Sequence, residues 1–461
     1  MERLRAMFAP PKKADEAEYE PLTDDSGTGE GSTYTVSDGE VEEVPFSWLE
    51  YAIFVLLGVA MLWSWNMFLA AAPYFQKRFA ADPWVLENFQ SAITSTFTFT
   101  TLAAMLLLTN IQSSASYPFR ISAGLLTNTL VFAALALTTK SFLSLSAPAY
   151  LAVLLVLVCL SAWSTGLIQN GALAYAGSFG RAEYTQAIMA GQGVAGVLPA
   201  VAQISSVLFV SPPNPTSSNP DAPAVPISNA AGIYFLTASL VSLLALASLL
   251  PLVRRHSTLI SHRMAAELAA SITSLEEAER AARRYVSIPR LFRKLPFVSG
   301  AVFACMAVAM FFPVFTSKIL SVHSDSSGKL SAPAVFIPLG FFFWNLGDLL
   351  GRVAAVLPLR GLRDRPAALF AFGIARAAFL PLYLLCNIRG RGAVVDSDLF
   401  YLLVVQFPFG LTNGWLCSAA MMAAGEWVDE GEREAAGGFM GLALVTGLTV
   451  GSLLSFSAAG I

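Results

Sequence analysis

The stretch FFFWNLGDLLGR, residues 341–352, puts an aspartate and an arginine four positions apart inside a segment otherwise apolar enough to span a membrane. An ionised side chain facing acyl chains costs about 3 kcal/mol or more, so these groups must pair, face a water-filled cavity, or lie at the membrane edge. Asn345, Asp348 and Arg352 are related by three and four positions, which sets all three on one helical face. Two readings follow. Arg352 caps the helix at the headgroups with Asp348 as its partner, or the face lines a cavity and offers a carboxylate acceptor to a polar solute.

The rest of the chain supports a membrane setting. Of 461 residues 55% are hydrophobic and 13% charged, with a mean hydropathy of +0.62, whereas soluble domains devote about a quarter of their residues to charge. A net charge of −3 gives no basic field for nucleic acid, so none is expected as a partner. Cys159, Cys305, Cys386 and Cys417 all fall in apolar segments and read as core residues. His256, His262 and His323 fall in loops, no nucleophile–base set or metal cluster lies in the spans, and there is no phosphate loop. The chain is therefore read as neither an enzyme nor an ATP-driven pump, with no cofactor.

About 20 apolar residues cross the hydrocarbon core. Candidate spans are 48–71, 88–109, 119–139, 148–170, 185–209, 230–253, 297–318, 332–351, 366–386, 399–422 and 435–457. Basic residues crowd the stretch from Arg254 to Lys294 and recur at Arg352, Arg360, Arg363 and Arg365, on one side of the membrane if the count is eleven. That side is the cytoplasm by the positive-inside rule, which leaves the amino end cytoplasmic and Ile461 outside or lumenal. The division is a disordered cytoplasmic tail over 1–45, a six-helix bundle over 46–253, a cytoplasmic linker over 254–296 and a five-helix bundle over 297–461. Within the linker, the segment from Ser274 favours a polar helix, either solvated or with its arginines toward anionic lipid.

Other spans carry polar residues too. Trp65 offers a flat surface for a heteroaromatic ring or simple core packing, and Asn66 needs a partner inside the bundle. Gln169 and Asn170 can each read the edges of an uncharged polar molecule or join neighbouring helices. Gly191, Gly193 and Gly196 read as a close-packing surface around Gln192, a cavity candidate, and Asn413 with Gly414 as an interruption that bends or unwinds its helix.

These motifs together resemble the equilibrative nucleoside transporter family, its fungal members in particular. WSWNMF at 63–68 is similar to the family's first-span Pro-Trp-Asn segment, with Ser64 in place of the proline. QNGALAYAGSFG from Gln169, GQGVAG from Gly191, NLGDLLGR from Asn345, and TNGW at 412–415 with the segment from Glu432 follow in register. The resemblance implies an all-α polytopic protein, major-facilitator-like, with eleven transmembrane helices in a 6+5 arrangement. It implies facilitative transport of nucleosides, with nucleobases left open, by alternating access. The alternatives are a major-facilitator-type carrier of another small polar solute, proton-coupled nucleoside transport, and, from a different class, a membrane receptor or scaffold. Trp65 would then stand beside the nucleobase, Gln169 at the base edge, and Asp348 with Arg352 at the ribose hydroxyls. Leu69 would fill a cavity position where relatives can carry methionine. Pairing with a permanent cation opposes a proton-carrying role for Asp348. Membrane lipids surround the chain, which is expected to work as a monomer. YEPL at Tyr19–Leu22 resembles a tyrosine-based sorting signal, which points to a vacuolar or other intracellular membrane, with the plasma membrane as the alternative.

Overall fold

The computed structural model describes residues 46–111, 116–142, 144–209, 227–270, 286–323, 330–357, 364–455 and 457. The acidic tail and its YEPL stretch lie outside them. Among the described residues, eleven helices are long and apolar enough to cross a membrane: Trp48–Phe79, Pro83–Asn110, Tyr117–Thr138, Ala147–Ser178, Ala182–Ser205, Ala231–Arg255, Pro296–Thr316, Pro333–Ala354, Pro366–Tyr383, Phe400–Glu426 and Glu430–Ser455. They are numbered below as the first to eleventh spans. The protein is a multi-pass membrane protein, and its described residues are mostly helical.

Several helices begin as their sequences direct. Asp82 caps the second span, its carboxylate accepting from the backbone N–H groups of Trp84 and Val85 at 3.1 and 3.2 Å, and Pro83 fills the first turn, where no donor is needed. The fourth helix runs on to Ser178, past the limit at 170 set by apolarity, because GALAYAGS is rich in helix-favouring alanine and stays buried against neighbours. The helix of the sixth span likewise continues past residue 253, the expected end of the six-helix bundle, to Ala270. Its extension, ISHRMAAELAA, is polar in part but built of strong helix formers. Residues 271–285, where an interfacial helix was expected, lie outside the described set.

The spans pack as two sets. The first contacts the fifth and sixth, the third contacts the fourth and sixth, and the second contacts the fourth. In the second set the eighth contacts the tenth, and the seventh contacts the ninth and eleventh. The sets meet where the fifth span touches the eighth and where the fourth and second touch the eleventh. Glycine allows the closest approaches. A methyl group at Gly191 would collide with the Val55 carbonyl of the first span, and one at Gly414 with the Asp348 carbonyl of the eighth. The expected break at Asn413 and Gly414 is therefore not seen. The helix runs unbroken over Phe407–Ala423, and the irregular turn, a π-helix, lies earlier at Phe400–Gln406.

Because the spans alternate in direction, the end of the bundle at Ser47 also holds the end of the eighth span and the start of the fifth. It is called the near end below, and the opposite one the far end. At the near end, Arg290 and Lys294 do not point to lipid: they pair with Glu432 at 2.7 and 2.6 Å, and Lys294 also with Asp429 at 2.8 Å. Although desolvation opposes its charge, these carboxylates raise the pKa of Lys294 above its ordinary value.

Candidate functional site

A cavity of about 330 Å³ lies between the two sets of spans, lined by residues from the first, second, fourth, fifth, seventh, eighth, tenth and eleventh. That is within the range of small-molecule sites. Its walls differ in chemistry. On one side Trp65 packs on Phe97 with ring centroids 4.7 Å apart, and from the other half Phe312 stacks on Trp344 at 4.1 Å and 8°. Both pairs present apolar ring surface of the kind that a flat heterocycle covers.

The polar wall is built on the eighth span. Arg352 is 7% exposed and Asp348 4%, so the guanidinium does not snorkel to the headgroups. Its Nε donates to Asp348 Oδ2 at 2.7 Å, and its Nη1 donates to the Met189 carbonyl at 3.0 Å and to Gln192 Oε1 at 3.1 Å. Asn413 Nδ2 donates to the other carboxylate oxygen at 2.7 Å. Each Asp348 oxygen thus has one fixed partner, and an ionised carboxylate has about four lone-pair sites, which leaves acceptor capacity for a ligand hydroxyl. Asn345 and Gln192 line the cavity beside the pair. So does Gln169, which is buried with its amide nitrogen lacking any hydrogen-bond partner among the described residues. A buried donor left unmade is costly, by about 1–3 kcal/mol, unless a ligand or water completes it.

The small residues shape this wall. A Cβ at Gly193 would stand 3.0 Å from Leu349 and 3.1 Å from Arg352, and one at Gly196 would stand 2.6 Å from Asn345 Oδ1. The fifth span can approach the charged face only without side chains there. Asn66 finds the partner it requires within the bundle, donating to the Ala195 carbonyl at 2.6 Å, and so serves packing. Leu69 is not brought to the cavity wall: it stands one turn beyond Trp65 towards the far end and is 54% exposed.

Some residues that organise the site are absent from the expectations above. Arg120 in the third span donates to Asn170 Oδ1 at 2.6 Å, which commits that amide to helix association. Gln186 accepts from the Tyr51 hydroxyl at 2.7 Å and donates to the Arg352 carbonyl at 3.0 Å, tying the first, fifth and eighth spans. Glu50 is buried, with Arg255 Nε at 3.2 Å and the Tyr184 hydroxyl donating to it. Arg376 in the ninth span is 1% exposed. Charged residues within apolar segments were the available signal for Arg120 and Arg376. Gln186 gave little, since it sits near a helix start.

Residues 154–459 match the family model described as "Nucleoside transporter", well over half of the chain. The chain belongs to the nucleoside transporter family. It is 29% identical over 446 residues to the Saccharomyces cerevisiae nucleoside transporter FUN26, covering 88% of this chain and 83% of that protein. To human equilibrative nucleoside transporter 1 it is 27% identical over 458 residues, covering 88% and 96%. Among solved structures, the proton:xylose symporter XylE bound to 6-bromo-6-deoxy-D-glucose superposes with a TM-score of 0.56 at 11% identity, covering 88% of this chain and 87% of that one. FucP in the outward conformation gives 0.53 at 15%, covering 89% and 92%. The fold of this nucleoside transporter family member is thus that of the major facilitator superfamily, and the chain is a fungal-type equilibrative member, a transporter and not an enzyme.

Proposed function

We propose that the chain carries nucleosides down their gradient across a membrane by alternating access, binding the base against Trp65 and Phe97 and the ribose hydroxyls at Asp348. The observation that carries this reading is the pairing, in one cavity, of an aromatic wall with a carboxylate whose two oxygens are each held by a single protein donor. The unpartnered amide of Gln169 supplies the donor for a base edge. Nucleobases form a second substrate class, since the aromatic wall and Gln169 act without the ribose. The transporting unit in this proposal is a single chain, eight of whose spans line the cavity.

Purified protein in liposomes tests this. Labelled uridine and adenosine should enter until inside and outside concentrations are equal, with no imposed gradient. Accumulation above the outside concentration driven by a proton gradient alone would replace the passive reading with a coupled one. Specific binding without flux would favour a receptor. Asp348→Asn keeps the shape of the side chain but removes the charge opposite Arg352, so transport should fall further than membrane abundance does. Normal transport by this variant at matched abundance would remove Asp348 from the site.

We propose an intracellular membrane, the vacuolar one, on the strength of Tyr19 and Leu22 in YEPL, with the plasma membrane as the alternative, and a cytoplasmic amino end on the strength of the basic residues between Arg254 and Lys294. A tagged protein should mark the vacuolar rim, and Tyr19→Ala with Leu22→Ala should move it to the cell surface. Surface labelling of the intact protein would assign it to the plasma membrane instead.

A further inference from the structure

Arg376 poses a separate question. It is a fully buried guanidinium in a ninth span that otherwise meets its surroundings with apolar side chains, it does not line the cavity, and no carboxylate pairs with it among the described residues. Such a charge is expensive in a membrane and persists where it has a task. Its hydrogen bonds show where it acts. Nη1 donates to the Cys305 carbonyl at 2.9 Å and to Cys305 Sγ at 3.0 Å, Nη2 donates to the Phe409 carbonyl at 3.2 Å, and Nε donates to Thr412 Oγ1 at 3.3 Å. The guanidinium also lies over the Phe409 ring, 4.9 Å from its centroid. One side chain thereby ties the seventh span to residues 409–412 of the tenth, the turn that leads directly into Asn413.

From there the bonds run in one direction. Cys305 Sγ, having accepted from Arg376, offers its one proton to Asn413, whose Oδ1 lies at 3.3 Å and whose backbone carbonyl lies at 3.5 Å, and Asn413 Nδ2 donates to Asp348 Oδ1 at 2.7 Å. A donor chain that starts at a fixed positive charge and ends on a carboxylate polarises along its length, and each link fixes the rotamer of the next. We propose that Arg376 is a positioning residue for substrate recognition, acting through Cys305 and Asn413 to aim the Asp348 carboxylate at the ribose hydroxyls. This rests on the reading of Asp348 as the acceptor for those hydroxyls. The partner on the other oxygen, Arg352, comes from Asp348's own helix; Arg376 governs the oxygen whose partner comes from across the helix interface.

The test is the preference for uridine over 2′,3′-dideoxyuridine, read as the ratio of their inhibition constants against labelled adenosine flux in liposomes. A variant that only folds less well lowers flux for every substrate and leaves this ratio alone. Loss of one aimed hydrogen bond, worth about 1 kcal/mol, lowers the preference about fivefold. Arg376→Gln and Cys305→Ala should each lower it, Arg376→Lys should lie between Arg376→Gln and the parent, and Cys305→Ser, whose hydroxyl both accepts and donates, should stay closer to the parent than Cys305→Ala. If Arg376→Gln does not reach the membrane, the alanine and serine variants at Cys305 decide. A preference unchanged in Arg376→Gln and Cys305→Ala, while Asp348→Asn abolishes it, overturns the role of Arg376 alone. A preference that survives Asp348→Asn overturns the ribose assignment, and this inference with it.

Discussion

At the scale of single residues, the proposed function divides the work of holding a nucleoside between Trp65 and Asp348. Stacking of a base on an aromatic side chain is worth about 1–3 kcal/mol, so Trp65→Ala should raise the KM for uridine and adenosine alike by about tenfold, with Phe97 left as a partial surface. The measurement is initial-rate uptake at matched membrane abundance, and an unchanged KM for both bases would take the base away from this wall. The uridine-to-dideoxyuridine preference should survive in this variant, because Asp348 lies on the opposite half. Much of this was legible in the chain. Asp348, Arg352, Gln169 and Trp65 stood out as polar or amphipathic groups in apolar runs, and each lines the cavity. Leu69 did not join them, since position along a helix decides whether a face meets the cavity or its surroundings, and one turn is enough to change that. Phe97, Phe312 and Trp344 could not be singled out, because an aromatic lining a cavity and one filling a core look the same in an apolar sequence.

At the scale of helices, the hydrophobic runs located all eleven spans but not their ends, which alanine-rich extensions carried past the apolar limit at Ser178 and Ala270. Glycine was harder to read. Gly414 resembled a breaker when only its own helix was considered, whereas its function depends on a neighbour far away in sequence. A methyl group there would meet the Asp348 carbonyl, so Gly414→Ala must push the eighth and tenth spans apart or strain them, a cost of about 1–3 kcal/mol. We expect a lower melting temperature in detergent and less folded protein. Gly425→Ala, eleven residues on, adds a methyl with nothing within 4 Å and should melt as the parent does. Equal melting of the two variants would contradict the packing of these spans.

At the scale of the whole molecule, alternating access requires the joints between the two sets of spans to break and reform. Joints between the two sets that lie between the cavity and the near end include Gln186 Nε2 to the Arg352 carbonyl at 3.0 Å, Arg352 Nη1 to the Met189 carbonyl at 3.0 Å and to Gln192 Oε1 at 3.1 Å, and a close approach of Gly177 to the Arg433 backbone at 2.8 Å for an added Cβ. Opening the cavity to the near end must break the Gln186 bond, since the fifth and eighth spans part there. Gln186 touches neither the aromatic wall nor Asp348, so its removal should alter the balance of conformations rather than the binding of substrate. A buried hydrogen bond contributes about 1 kcal/mol net, and a two-state balance shifts by about fivefold for that amount. A reporter thiol at the near end reads this shift. Met421→Cys, at a position now 4% exposed, in a Cys159→Ser background that removes the exposed native thiol, should react with a water-soluble maleimide about fivefold faster when Gln186→Ala is added. Saturating uridine should change both rates, because substrate enters the exchange between states. Equal rates with and without Gln186 would mean that the near end is held shut by other contacts, and that this glutamine only ties Tyr51 to the fifth span.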